Sequence, residues 1–297
     1  KEGDLSKLLH MTLYEVTLPF AGTNAGEQAL AFKAIIAEME RFYHGMLPLE
    51  SAPLSRYGHF SLELVLSNFS NDIVFYVAVE EHMKDLFVKQ LIGAFPTAKI
   101  EEHVGDYNIF NEFGTAIGSY AECTSNFVYP IGDGESSEQD PFTTILNSFT
   151  KIERDGEGAA IQLIIYPDPD KVANKIKHAM GQIKQGVSVS RAIDIPLSTG
   201  GVIGKAFTDF FHSQVKGGEK KDVAADQKEV DAAAKANELM ELKIAAPLVR
   251  ANLRVVVSAP SKERAEAIRL SIESAFNQFI RPQSNGIKFK HAEKGRL

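Results

Sequence analysis

Only one cysteine, Cys123, occurs in the 297 residues. A disulfide framework, a cysteine-rich zinc site and an all-cysteine iron–sulfur cluster are thereby excluded, and a reducing compartment fits. No run of ~18 apolar residues occurs, so nothing in the sequence reads as a membrane-spanning helix. No apolar segment follows a basic start, as a secretory leader would require. Excess positive charge is missing too. Against 32 basic side chains stand 39 acidic ones, a net charge of −7. That argues against the whole chain being a non-specific nucleic-acid binder, which needs a basic face to neutralise phosphates. What remains is ordinary globular composition, 44% hydrophobic and 24% charged. The length suits two domains of ~100–200 residues each. The first residue is Lys1 rather than Met, so the chain reads as a processed or excised piece.

Catalytic motifs are equally scarce. The nearest approach to a phosphate loop is Gly200-Gly201-Val202-Ile203-Gly204-Lys205-Ala206. Thr199 stands where the first glycine is needed, and Ala206 where a hydroxyl must hold Mg²⁺. The histidines are scattered, with no pair at metal spacing beside a carboxylate on one helix. No Gly-x-Ser-x-Gly elbow occurs. The reading is therefore no catalytic residue, no cofactor, no metal and no enzymatic activity for this chain.

Periodicity supplies the positive signal. Leu13–Leu18 reads as a strand stopped by Pro19. From Glu27 to His44, the residues Phe32, Ile35, Ile36, Met39, Phe42 and Tyr43 recur at helical spacing. Phe60–Leu66 alternates as a half-buried outer strand, with Ser61 and Glu63 on its polar side. Ile73–Val79 is apolar on both faces, as an interior strand would be. A helix carrying Met83, Leu86, Phe87 and Leu91 ends at Pro96, and Ala98–His103 is a short polar edge strand. The order is β-α-β-β-α-β, the ferredoxin-like plan.

The second half repeats that order. Tyr120–Pro130 reads as a strand, Pro141–Ile152 as a helix and Ala160–Tyr166 as a strand. Arg250–Ser258 follows as a strand, then a helix capped by Ser261, and Ile287–Lys290 as the last strand after the Asn285-Gly286 turn. An insert from about Asp168 to Leu248 interrupts the plan. It contains helices near 171–184 and 201–214, a Lys/Gly/Glu-rich joint at 216–221 and an Ala-rich charged helix at 222–243 with a thin apolar stripe, expected to lie in solvent or to bridge to something else. The expected fold is α+β, two tandem ferredoxin-like (βαββαβ) units with antiparallel sheets, the second carrying a long, mostly helical insert. The boundaries are a linker at 1–11, a first domain at 12–110 and a second at 111–297.

RNA-recognition domains share this topology and carry aromatics on their two central strands. Tyr14 and Tyr76 occupy comparable places, but the third strand lacks the Lys/Arg-Gly start of the RNA motif. Tyr14, Tyr76, Val74, Arg250 and Arg254 are the candidate interaction surface. A basic stripe of Arg250, Arg254, Arg264 and Arg269 would be the footprint of nucleic-acid binding. The second face of the third strand, with Val74, Tyr76 and Ala78, is too apolar to stay wet. It is expected to pack against the other half, the insert or a partner subunit.

Several stretches carry a resemblance. They are Leu8–Pro19, Phe75–Val79, Lys89–Leu91, Phe95–Ile100, Asp106–Phe110, Glu157–Gln162 and Ser258–Glu266. Together they resemble the region ahead of the motor in conjugation-type, type IV secretion-like ATPases of the HerA–FtsK superfamily, particularly large ones from candidate-phylum bacteria. In such proteins a membrane anchor precedes this region and a nucleotide-binding motor follows it. The resemblance implies a cytoplasmic accessory module at the inner face of the membrane, attached only through a segment outside this chain, with residues 1–9 as juxtamembrane linker. It implies self-association, or a motor domain or secretion-complex subunit as partner. The alternative is a stand-alone nucleic-acid- or ligand-binding protein using an open sheet face.

Overall fold

The computed structural model describes residues 11–17, 59–70, 72–132, 141–153, 156–167, 171–194, 223–246, 248–281 and 284–291, with helical positions at 38, 41, 42, 45 and 46. The residues before Met11, most of the helix expected over 27–44, the loop at 200–206, the helix expected over 201–214 and the joint at 216–221 lie outside the described residues.

The strands are β1 (Met11–Thr17), β2 (Phe60–Leu66), β3 (Val74–Glu80), β4 (Lys99–Glu102), β5 (Thr115–Cys123), β6 (Gly158–Pro167), β7 (Val249–Ala259) and β8 (Ile287–His291). The helices are α1 (Lys84–Ala94), α2 (Pro141–Asn147), α3 (Lys171–Lys184), α4 (Val189–Ala192), α5 (Val223–Lys243) and α6 (Lys262–Ser274). Every strand pairing is antiparallel.

Separate sheets for the two halves were expected; one continuous sheet is found, in the order β4-β1-β3-β2-β6-β7-β5-β8. The join is β2 with β6, paired from Phe60↔Ile165 to Leu66↔Ala159. β2 is therefore an interior strand, not an outer one. Ser61 and Glu63, read as its wet side, are only 5% and 6% exposed.

One face of the sheet carries the main core. Tyr14, Phe60, Val77 and Val79 meet Phe87 and Leu91 of α1 and the helical residues Phe42 and Met46. Further along, Leu64, Ile161, Val255 and Val257 meet Ile268 and Ile272 of α6. Each large side chain so buried contributes about 1.5–3 kcal/mol. α6 begins where expected because the Ser261 hydroxyl accepts the Arg264 N–H, satisfying one of the free donors of the first turn.

Two expected boundaries shift. The strand read at 120–130 is β5 at 115–123. Residues 126–130 instead join a second compact unit with the described residues of 171–194 and 223–246, and Val128 is fully buried. The apolar signal there was burial without strand pairing. α2 ends at Asn147, and single-turn hydrogen bonds carry the chain on to Ile152.

In the second unit α3 and α5 pack together. α3 buries Ile176, Ala179, Met180 and Ile183, while α5 buries Ala236, Leu239 and Met240. The thin stripe of α5, expected in solvent or as a bridge to another part, is a packing surface. The insert leaves the sheet at a hairpin, for Pro167 and Val249 are the last partners of the β6–β7 ladder. A two-residue turn could close those strands. Replacing residues 168–248 by Asn-Gly is expected to keep the sheet's circular-dichroism spectrum and to hold its melting temperature within about 5 °C. Loss of cooperative unfolding would show that the insert is part of the sheet's core.

Candidate interaction surface

Antiparallel partners share a face, so register places every side chain. Tyr14 sits opposite Val77 and lies on the helix-covered face, stacked on Phe87 at 6.3 Å. It is 7% exposed and takes no part in the open surface, which corrects its candidacy. Tyr76 is on the other face, in a row that runs Glu101–Glu15–Tyr76–Glu63–Gln162–Arg254–Tyr120–Lys290 across the whole sheet.

The middle of that face is already covered, by the chain's own connection between β4 and β5. This cover is none of the three that were expected. The His103 N–H donates to the Leu13 carbonyl, and its ring meets Tyr76 edge-on at 5.3 Å. Tyr107 stacks on Tyr76 at 5.2 Å. Ile109, 2% exposed, sits on Val65 and Ala160, with Val74 packed at the border. The strap is pinned at its far end. Asn68 donates through Nδ2 to the Phe110 carbonyl at 2.7 Å, and the Asn111 N–H donates to Ser258 Oγ at 2.9 Å. Gly158 admits this close approach, because a Cβ there would collide with the Ile109 backbone.

Beneath the strap lies a buried carboxylate that sequence reasoning missed. Ser61 Oγ and Tyr107 OH both donate to Glu63, and Gln162 Nε2 reaches Glu63 at 3.3 Å and the Tyr107 oxygen at 2.9 Å. Donors from β2, β6 and the strap thus satisfy one acid, with no ion pair to it among the described residues. Burial, and secondly the Glu63 charge, drive the Tyr107 phenol pKa far above its ordinary value, so it stays a donor.

At one end of the sheet Glu80, 7% exposed, accepts the His59 N–H at 3.1 Å and lies 2.7 Å from His59 Nδ1. His82 Nδ1 is 3.4 Å from its other oxygen, and His59 stacks on Tyr166 at 5.4 Å. Glu80 and His82 meet because the chain leaves β3 in a single helical turn. Among the described residues no group of three His, Cys, Asp or Glu side chains is placed to hold a metal.

The arginines do not form a stripe. Arg254 is half-buried on the open face, its Nε donating to Asn252 Oδ1 at 3.2 Å, and Arg250 lies exposed at the strand end opposite Tyr166. Arg264 is engaged elsewhere, binding Glu157 through Nε at 2.6 Å and through a terminal nitrogen at 2.9 Å. Arg269 is buried at 4% exposure and pairs with Glu273 at 2.6 Å along α6. Two of the four are thus engaged in ion pairs, and one of those two is buried. Among the described residues no helix is long and apolar enough to cross a membrane. No protein-family model matches the sequence, and no curated protein matches it.

Proposed function

We propose that this chain is a non-catalytic assembly module, the cytosolic accessory part of a membrane-anchored, type IV secretion-like translocation ATPase. Its work is to tether, oligomerise or dock the motor, with membrane attachment supplied by a segment outside the chain. The strand order supports two ferredoxin-like units. β4-β1-β3-β2 is the order of one such unit, and β8-β5-β7-β6 is the same order in the second. Their second strands, β2 and β6, pair to make a single sheet.

The observation that carries this reading is the strap. A domain that reads nucleic acid on its sheet needs aromatics free to stack on bases. Here Tyr76 is sealed between His103 and Tyr107, and Tyr14 lies on the opposite face under α1. Fluorescence anisotropy with labelled single-stranded RNA and DNA, at low and high salt, tests the choice. No salt-dependent binding is expected. Tight binding whose log affinity falls steeply with log salt would overturn the assembly reading in favour of an open-face nucleic-acid binder.

A further inference from the structure

We infer that copies of this chain associate head to tail, with the β8 edge of one copy adding antiparallel to the β4 edge of the next. β4 and β8 are the outer strands of the sheet. Among the described residues each pairs on one side only, β4 with β1 and β8 with β5. An outer strand presents a row of N–H and C=O groups that template another strand. Direction decides how a second copy adds. Eight strands alternate throughout, so β4 and β8 run opposite ways. A copy displaced along the sheet therefore lays its β4 antiparallel to β8, with both helix layers on the same side. A two-fold rotation would instead pair β8 with β8, or β4 with β4.

Charge selects among these. β8 reads Ile287-Lys288-Phe289-Lys290-His291, with both lysines on the open face and no acid of its own, and Lys290 is tied to Glu122 of β5 at 2.8 Å. β4 reads Lys99-Ile100-Glu101-Glu102, and Lys99 is already tied to Glu101 at 2.9 Å. Two β8 edges would oppose lysines to lysines, and like charges directly opposite destabilise a pair. Two β4 edges centred on Ile100 would set Lys99 against Glu101, merely exchanging a contact that each strand already makes within itself at 2.9 Å. The mixed pair sets a basic edge against a more acidic one. Face parity narrows the register further. Any alignment keeping open face with open face, and Glu101 opposite β8, sets it across from Lys288 or Lys290. Ile100 then meets the side of β8 that carries Ile287, Phe289 and His291. Ile100 and Phe289 each border a core on the helix side, so the joint extends an apolar layer. Like symmetry-free contacts generally, it propagates to a ring or a filament. The inference rests on the assembly reading for its biological use, but the pairing itself does not.

Sedimentation velocity over a concentration series, at low and high salt, tests it with three proteins. The wild type is expected to gain mass with concentration and lose it with salt. Lys288→Glu/Lys290→Glu gives a chain with two acidic edges, and Glu101→Lys/Glu102→Lys gives one with two basic edges. Each alone is expected to associate at least ~10-fold more weakly. Mixed in equal amounts they should associate again, and a chain carrying all four changes should regain self-association. Thermal unfolding of each variant checks that the sheet persists, and the four-change chain decides the matter if one pair folds poorly. A wild type that stays monomeric to about 1 mM, or variants that associate unchanged, would overturn the inference. So would a mixture that fails to recover. Nucleic-acid binding by the wild type would overturn the earlier functional reading and leave these outcomes readable.

Discussion

Tyr107→Ala is expected to lower the free energy of unfolding by about 3 kcal/mol, measured by urea denaturation. The change removes the ring stacked on Tyr76, uncovers the middle of the sheet and takes one donor from the buried Glu63. Tyr107→Phe keeps the ring and removes only the hydroxyl, so its cost should be about 1–2 kcal/mol, the penalty of an under-satisfied buried acceptor. The ordering of the two variants is the diagnostic. If Tyr107→Ala behaves like a surface substitution, within about 0.5 kcal/mol of wild type, the strap is not what seals this face.

Arg264→Ala should cost nearly as much, about 2–3 kcal/mol. That is below the range for a fully buried pair because the Arg264 side chain keeps 34% exposure. Its partner Glu157 is 4% exposed and also accepts the Glu153 N–H at 2.7 Å. Burial pushes the Glu157 carboxyl pKa upward. The Arg264 hydrogen bonds and charge, with the Glu153 N–H, outweigh that and hold it below its ordinary value of 4.5. A depressed folded pKa gives a contribution present in full above the ordinary carboxyl range and lost as pH falls through the folded value. In Arg264→Ala burial acts against fewer opposing contacts, so the carboxyl is expected to protonate more readily. The gap between wild type and variant should therefore be widest at neutral pH and narrow towards pH ~4. A gap that widens on acidification would mean that the pair is not the source.

Regular elements were legible because their periods are strong. Phe60–Leu66, with its alternation, and α3, predicted at 171–184, appear within a residue of where spacing puts them. What escaped depends on which strand lies beside which. Nothing within β2 says that its outer side meets β6, so Ser61 and Glu63 read as wet when they are buried. The strap is the opposite case. Tyr107 and Ile109 point inward while Asp106, Asn108 and Phe110 stay exposed, an i, i+2 pattern present in the sequence but too short to stand out. The doubly apolar β3 did announce that some cover was needed. Its source was hidden because the covering segment has no period long enough to mark it as an element. Tyr14 was misplaced because alternation assigns residues to two faces without saying which one the helices take.

The position of the insert also bears on how the chain reaches its native state. Pro167 and Val249 face each other across about 80 intervening residues. Closing so long a loop costs about 2–3 kcal/mol more than closing a tight hairpin, since the entropy lost grows with the logarithm of length. β6 and β7 form the longest ladder of the sheet, so this closure precedes its most extensive strand pairing. Helices build from local contacts and form faster than long-range strand pairs. If α3 and α5 dock first, the two ends of the insert are no longer free to wander, and most of that entropy is removed before β6 and β7 meet. Refolding rate, rather than final stability, is then the property most sensitive to damage in the α3–α5 packing. Ile176→Ala, at a fully buried position of α3, should slow formation of a sheet it does not belong to.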